Sequence, residues 1–303
     1  MKVLSFRRSD GSESVGLWRD EINAPYDLIR AIEISVRAEN QCVPVLEDML
    51  DLLDAGLLDA ELLGEVDDFV DEHSLLEDLI EADDFRILAP IARPRAIYAL
   101  GRNYPAHARE SGADVPEEPI VFGKAPTAVI GPEDDVVYPN WLTRVDPEAE
   151  LAVVIGKQGS AIPEEEAMSY IAGYTCLNDV TARDLQKKDL ANAHPWLRSK
   201  GIDTFCPMGP WIVLTDQIGH PVELDVEMRV NGEVRQKDNT RSLTFGIPFL
   251  VSWISRYHTL YPGDVISTGT PEGMKPVVPG DVMEVEIEKI GVLTNRVVAK
   301  PPQ

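Results

Sequence analysis

Beyond Pro90 the chain becomes a succession of short β-branched, apolar runs, and this limits the possible folds more than any other feature. The runs include IVFG from Ile120, ELAVVIG from Glu150, IAGYTCLND from Ile171, GPWIVL from Gly209 and DVISTG from Asp264. A long pair follows, ELDVEMRVNGEV from Glu223 and DVMEVEIEKIGVLTNRVV from Asp281. Asn231-Gly232 interrupts an alternating stretch and predicts a two-residue hairpin. Helical spacing is confined to about residues 164–172, 181–190 and 247–257. Residues 1–20 read as a hairpin, KVLSF and SVGLW joined across Asp10-Gly11, with helices after it. The expected class is therefore α+β and β-rich, with a small N-terminal domain over residues 1–90 and a larger one over 91–303.

The N-terminal helices are acidic. Residues 38–85 hold 17 Asp and Glu and no Lys or Arg, within a chain of formal charge -24. Leu46, Met49, Leu50 and Leu53 recur at helical spacing among these acids, with Gly56 placed to stop that helix and Asp59 to cap the next. Ser74 and Glu77 have the spacing of a capping box for a third. This pattern favours a solvated helical face over an acidic docking surface. The net charge repels phosphate backbones and anionic lipid, so no nucleic-acid or membrane partner is expected. An apolar span of 18 residues and an apolar signal core are both lacking. Three scattered cysteines, Cys42, Cys176 and Cys206, fit neither a disulfide framework nor a zinc knuckle, and point to a reducing, cytoplasmic compartment.

Metalloprotease, serine-hydrolase, dinucleotide and phosphate-loop signatures are all missing, which leaves oxygen chemistry. In Val145-Asp146-Pro147-Glu148-Ala149-Glu150-Leu151 the two-residue period of a strand puts Glu148 and Glu150 on one face, roughly 7 Å apart. Two such carboxylates repel unless a cation lies between them. Asp179 ends another apolar strand. Alone, the glutamates would read as exposed strand-end acids and Asp179 as a helix cap. Together, three strand-end carboxylates can make a hard site for Mg²⁺ or Mn²⁺. Lys200, in a polar pair with Asp203, suits stabilisation of an anionic oxygen.

Five motifs carry a family resemblance: Gly101-Arg102-Asn103-Tyr104 with His107-Ala108-Arg109-Glu110; Glu148-Ala149-Glu150-Leu151; Asn178-Asp179-Val180-Thr181-Ala182-Arg183-Asp184; Lys200 through Pro210; and Gly263-Asp264 through Thr270-Pro271. In order over about residues 88–298, they resemble the fumarylacetoacetate hydrolase family. The resemblance implies layered, mixed β-sheets with a rolled centre, a homodimer, and Mg²⁺ or Mn²⁺ on Glu148, Glu150 and Asp179. It also implies a small 2-oxo acid substrate chelated to the metal. Lys200 and Gln186 would stand near the reacting carbonyl, and His107 with Glu110 would activate water. Thr270 would contact the substrate carboxylate, with Arg102, Tyr104, Lys124, Arg183 and Asp203 as further contacts.

The chemistry implied is cleavage of a C–C bond beside a carbonyl, with hydrolysis of an acylpyruvate first. Decarboxylation of oxaloacetate or isomerisation of a 2-hydroxyhepta-2,4-diene-1,7-dioate is the alternative. A metal-stabilised binding or scaffold protein without activity would not need His107, Glu110 and Lys200. Two departures fall where specificity is set: Glu272-Gly273-Met274-Lys275-Pro276, and the Gln186–Lys200 connection with its His194 and Trp196. Residues 102–117 are polar, with Gly101 and Gly112 near their ends, and are expected to form a lid.

Overall fold

The computed structural model describes residues 1–40, 42, 44–81 and 85–300. Asp83 and Asp84 of the acidic stretch lie outside these described residues. The expected mixed α+β, strand-rich fold is found, with an 11-stranded sheet, a five-stranded sheet and a two-stranded one, and no closed barrel among the described residues.

At the centre of the large sheet, Ala149–Ile155 runs antiparallel to Ile171–Asn178 on one side and to Val265–Ser267 on the other. Every residue of Ala149–Ile155 is buried. Leu151, Val153 and Ile155 join the larger apolar cluster while Ala152 and Val154 join the second, so the strand separates two cores. Such two-sided burial explains the unbroken apolar run. Ile97–Gly101 is added parallel to Val265–Ser267, and the smaller sheet carries the Asn231-Gly232 hairpin, both turn residues at positive φ.

The N-terminal segment shares this framework. Lys2–Arg7 hydrogen-bonds to Cys206–Leu214, with Lys2 opposite Val213, so the large sheet crosses the organisational boundary expected near residue 90. Helices Met49–Asp54 and Ala60–Glu72 are capped by the Asp48 and Asp59 carboxylates. Gly56 ends the first, its amide and that of Leu57 returning to the carbonyls of Leu53 and Leu52. Ser74 does not open the third helix. It sits at φ 54° and closes Ala60–Glu72, the Ser74 and Leu75 amides donating to Asp71 and Val70 in the same way. The helix Leu76–Leu79 then starts from Leu75 without a side-chain cap.

The segment expected to be helical over 164–172 is a 3₁₀ turn, Glu164–Tyr170, and Ile171 already belongs to the following strand. The segments near 181–190 and 247–257 are helices Arg183–Ala191 and Ile247–Ser255. Within the polar stretch 102–117, Pro105–Glu110 forms a short helix with His107 buried. None of the described helices is long and apolar enough to cross a membrane.

Candidate active site

Strand pairing assembles the carboxylates. Ala149 lies opposite Asn178, so Glu148 and Asp179 flank one end of a single ladder. The Asp179 amide donates to the Glu148 carbonyl at 2.9 Å, and the Glu148 amide donates to Asn178 Oδ1 at 3.0 Å. One carboxylate oxygen from each of Glu148, Glu150 and Asp179 lies within 4.8 Å of the others, and all three residues are buried.

Their partners differ. Lys200 Nζ donates to Glu148 Oε2 at 2.7 Å and to Asp179 Oδ2 at 2.5 Å. Lys124 Nζ donates to Asp179 Oδ1 at 2.6 Å, and Arg183 is bound to the other oxygen of Glu148. Glu150 accepts only from Ser267 Oγ at 2.5 Å and the Gly269 amide at 2.8 Å, and no Lys or Arg pairs with it among the described residues. Burial, then Asp179 and Glu148, hold the Glu150 carboxyl well above the usual range. Burial acts the same way on Glu148, but Lys200 and Arg183 outweigh it and lower that pKa. Lys200 would be lowered by burial, yet Asp179 and Glu148 keep its pKa raised. A divalent cation would favour the ionised Glu150 that burial and the neighbouring carboxylates disfavour, and the all-oxygen set suits a hard ion.

Against Glu148 opens a cavity of about 310 Å³ lined also by His107, Gln186, Lys200, Thr270 and others, with Glu150 and Asp179 behind its wall. Its lining holds five basic side chains, Arg102, Arg144, Arg183, Lys187 and Lys200, against two acidic ones, Glu110 and Glu148. In so acidic a chain, that inversion favours an anionic ligand. His107 Nδ1 is buried without a hydrogen-bond partner and stands 3.8 Å from Glu110 Oε2. Burial lowers the His107 pKa from the usual 6.5, with Glu148 acting in the opposite sense, so the imidazole is neutral at pH 7.

Two polar groups are fixed from behind. Arg183 Nη1 donates to Gln186 Oε1 at 2.6 Å, which leaves the Gln186 amide nitrogen as the available donor. Gln236 Nε2 donates to Thr270 Oγ1 at 2.9 Å, which leaves the Thr270 hydroxyl hydrogen free to donate elsewhere.

The other expected contacts divide. Arg102 lines the cavity; its backbone lies at φ 59°. Lys124 is buried and bound to Asp179 but is not part of the lining, and Tyr104 is buried with its hydroxyl unpartnered. Asp203 is exposed and outside the cavity. Of the two departures noted above, Trp196 and Met274 reach the cavity, whereas the His194 ring is 57% exposed beside Asp189.

Asp146 was not anticipated. It is fully buried and accepts from Arg144 Nε at 2.8 Å and Arg183 Nε at 2.7 Å, orienting both cations. The two-residue period that marks Glu148 and Glu150 extends back to it.

This arrangement defines a buried acidic centre under a cationic cavity, and the chain belongs to the fumarylacetoacetate hydrolase family: the fumarylacetoacetate (FAA) hydrolase C-terminal domain matches residues 96–298. Among particular relatives, a mitochondrial oxaloacetate tautomerase of Bos taurus (FAHD2A) is 44% identical over 227 residues, 73% of this chain and 72% of its own. The solved 5-carboxymethyl-2-hydroxymuconate delta-isomerase of Mycobacterium smegmatis is 35% identical, with TM-score 0.74 and full coverage of both chains. Fumarylpyruvate hydrolase of Pseudomonas aeruginosa, solved with Mn²⁺ and pyruvate, is 36% identical with TM-score 0.66, covering 73% of this chain and 94% of its own.

Proposed function

We propose that the chain is a metal-dependent enzyme that moves a proton beside the carbonyl of a small, anionic 2-oxo acid, with oxaloacetate tautomerisation as the first candidate reaction. The observation that carries this reading is the unpartnered, neutral His107 lining the same cationic cavity as Lys200. Identity to an oxaloacetate tautomerase supports the choice of substrate.

Glu148, Glu150 and Asp179 would hold Mg²⁺ or Mn²⁺. The bound ion would act as a Lewis acid toward negative charge on the 2-oxo oxygen. His107 takes a proton from C3, and the electron pair of that bond moves toward the 2-oxo oxygen. The His107 imidazolium returns a proton to that oxygen, directly or through solvent, to give the enol and restore the neutral base. Lys200 supplies a second positive charge to that oxygen and helps to carry the developing enolate. Thr270 and Gln186 donate hydrogen bonds to the acid, and Arg102 adds charge complementarity. The reverse sequence returns the keto form. Isomerisation of an unsaturated 2-oxo diacid uses the same proton transfers, so a tautomerase and an isomerase need the same residues. The assembly that accompanies this reading is a homodimer.

Hydrolysis of an acylpyruvate is the second reading, favoured by the helical spacing of His107 and Glu110 and by likeness to a fumarylpyruvate hydrolase. It requires a water that His107 activates for attack on the distal carbonyl. The test is a panel of oxaloacetate enol, acetylpyruvate and a hydroxydiene diacid, with Mg²⁺ or Mn²⁺ and with chelator. Fast ketonisation of the oxaloacetate enol with little acetylpyruvate cleavage is expected. Acetylpyruvate cleavage without ketonisation would replace the first reading by the second, and loss of CO₂ from oxaloacetate as the main event would replace both by decarboxylation.

A further inference from the structure

Glu110 ends the helix Pro105–Glu110, where unpaired carbonyls disfavour a carboxylate. Its compensation comes from a segment some 160 residues away. The Gly273 amide donates to Glu110 Oε1 and Oε2 at 3.1 and 3.0 Å, and the Met274 amide donates to the same oxygens at 3.2 and 3.5 Å. The same carboxylate faces His107 Nδ1 at 3.8 Å.

The loop that supplies these amides is anchored independently of the lid. Gly273 lies at φ +108°, and a Cβ there would stand 1.9 Å from the Arg235 carbonyl oxygen, so only glycine permits this approach to the strand Glu233–Asn239. Arg235 Nη1 donates to the Pro276 carbonyl at 3.0 Å, which ties the far end of the loop to the same strand. That strand also carries Gln236, which braces Thr270 and accepts from the Ala149 amide beside Glu148. The loop, the strand and the acidic centre thus form one frame, and Glu110 is clasped to it.

We infer that the backbone amides of Gly273 and Met274 are positioning groups for the general base: they clasp Glu110, seat the lid helix over the cavity and aim the Glu110 carboxylate at His107. This rests on the reading of His107 as the base. Without the clasp, Glu110 has no fixed direction and His107 no oriented partner, while the rest of the cavity keeps its shape.

Two measurements test it. Amide hydrogen exchange on the metal-loaded full chain reads the clasp without any turnover. Exchange at Gly273 and Met274 should rise about tenfold in Glu110→Ala, the weight of one lost hydrogen bond. Unchanged exchange at both amides would overturn the inference. A double-mutant cycle of Gly273→Ala and Glu110→Ala on oxaloacetate ketonisation reads the coupling. Each single variant should lower kcat by about tenfold or more with KM held within about twofold, and the double variant should be no worse than the poorer single one. Losses that multiply, or that fall on KM alone, would overturn it. If Gly273→Ala does not fold, amide exchange in Glu110→Ala decides alone. A parent enzyme inactive on every 2-oxo acid would refute the proposed function, while amide exchange would still report whether the clasp exists.

Discussion

Lys200 Nζ and Glu148 Oε2 are 2.7 Å apart, and both side chains are almost wholly withdrawn from solvent. Burying such a pair costs several kcal/mol per ion in desolvation, so the contact is weak support for stability by itself. In the proposed reaction it would serve as a fixed charge beside the reacting oxygen. Glu150, buried and without a basic partner among the described residues, then becomes the place where added positive charge should change most.

Divalent metal should therefore stabilise the protein as well as activate it. Adding Mg²⁺ or Mn²⁺ at about 100 times its Kd should add about 2.7 kcal/mol to unfolding, read as a rise in Tm that chelator reverses. Glu150→Gln should abolish the metal-dependent part of that rise. An equal rise in wild type and Glu150→Gln would remove Glu150 from the ligand set.

The base should work below the ordinary histidine range. With the folded His107 pKa depressed by burial below 6.5, the neutral form persists as pH falls past that value, so the acid limb of kcat/KM should lie under pH 6.5. The stability contribution has the same direction. The unfolded chain takes up the proton first, so the contribution is present above about pH 6.5 and is lost as pH falls through the folded value. Urea unfolding of wild type and His107→Ala between pH 7 and pH 5 measures it. A limb at or above 6.5 would contradict a buried neutral base.

His107→Ala should slow ketonisation by about 10²–10⁴-fold, the usual weight of general-base catalysis. Decarboxylation of oxaloacetate needs an enolate stabiliser but no proton abstraction, so any such side activity should fall far less. Equal losses in kcat/KM for both reactions would reduce His107 to a support of the lid.

Trp196 should set the size limit of the substrate. Its ring packs 5.2 Å from Phe122 and closes against Gly101, where a Cβ would lie 2.9 Å from the indole. Trp196→Ala should lower KM for acids with a bulky distal group relative to oxaloacetate, by about tenfold or more, the scale of a few buried methylenes. An unchanged KM ratio would place the bulky end elsewhere.

Salt should act on the N-terminal helices and not on the chemistry. Raising ionic strength screens repulsion among the acids of this region, so Tm should rise while kcat stays constant. Arg19, paired with Asp67 and Asp71, and Arg8, paired with Asp27 and Glu81, offset only part of that charge. A salt effect on kcat at fixed stability would give these helices a role in turnover.

Local periodicity carries much of the fold. Short unbroken apolar runs mark the central strands, Asn231-Gly232 marks its hairpin, and Asp59 and Gly56 mark helix ends, because each is decided within a few residues. Ser74 shows the limit of such signals: the same residue can open one helix or close another, and the left-handed turn at φ 54° selects closure. At the site, Glu148 and Glu150 are visible as a pair on one face, but Asp179 joins them through strand pairing. Gln236 behind Thr270 and the Gly273 amides on Glu110 link positions far apart in sequence, and no local pattern announces them. Asp203 illustrates the converse, a polar residue within a motif that the backbone turns toward solvent.

The pairing of Lys2 with Val213 also bears on how the chain reaches this state. Lys2 and Val3 have their Cys206–Leu214 partners about two hundred residues downstream, so that part of the strand edge stays open until the partner has been made. Phe6 and Arg7, in contrast, pair with Ile87 and Arg86. Loop-closure entropy must be met before the Lys2–Val213 contact forms, so docking of the amino-terminal hairpin on Cys206–Leu214 should be a late event. Until then the hairpin presents one partly open strand edge next to a highly charged helical segment, and mutual repulsion between nascent copies should disfavour edge-to-edge association. The same acidity that is expected to lower the stability of the folded N-terminal segment would thereby keep its unfinished form apart from other copies.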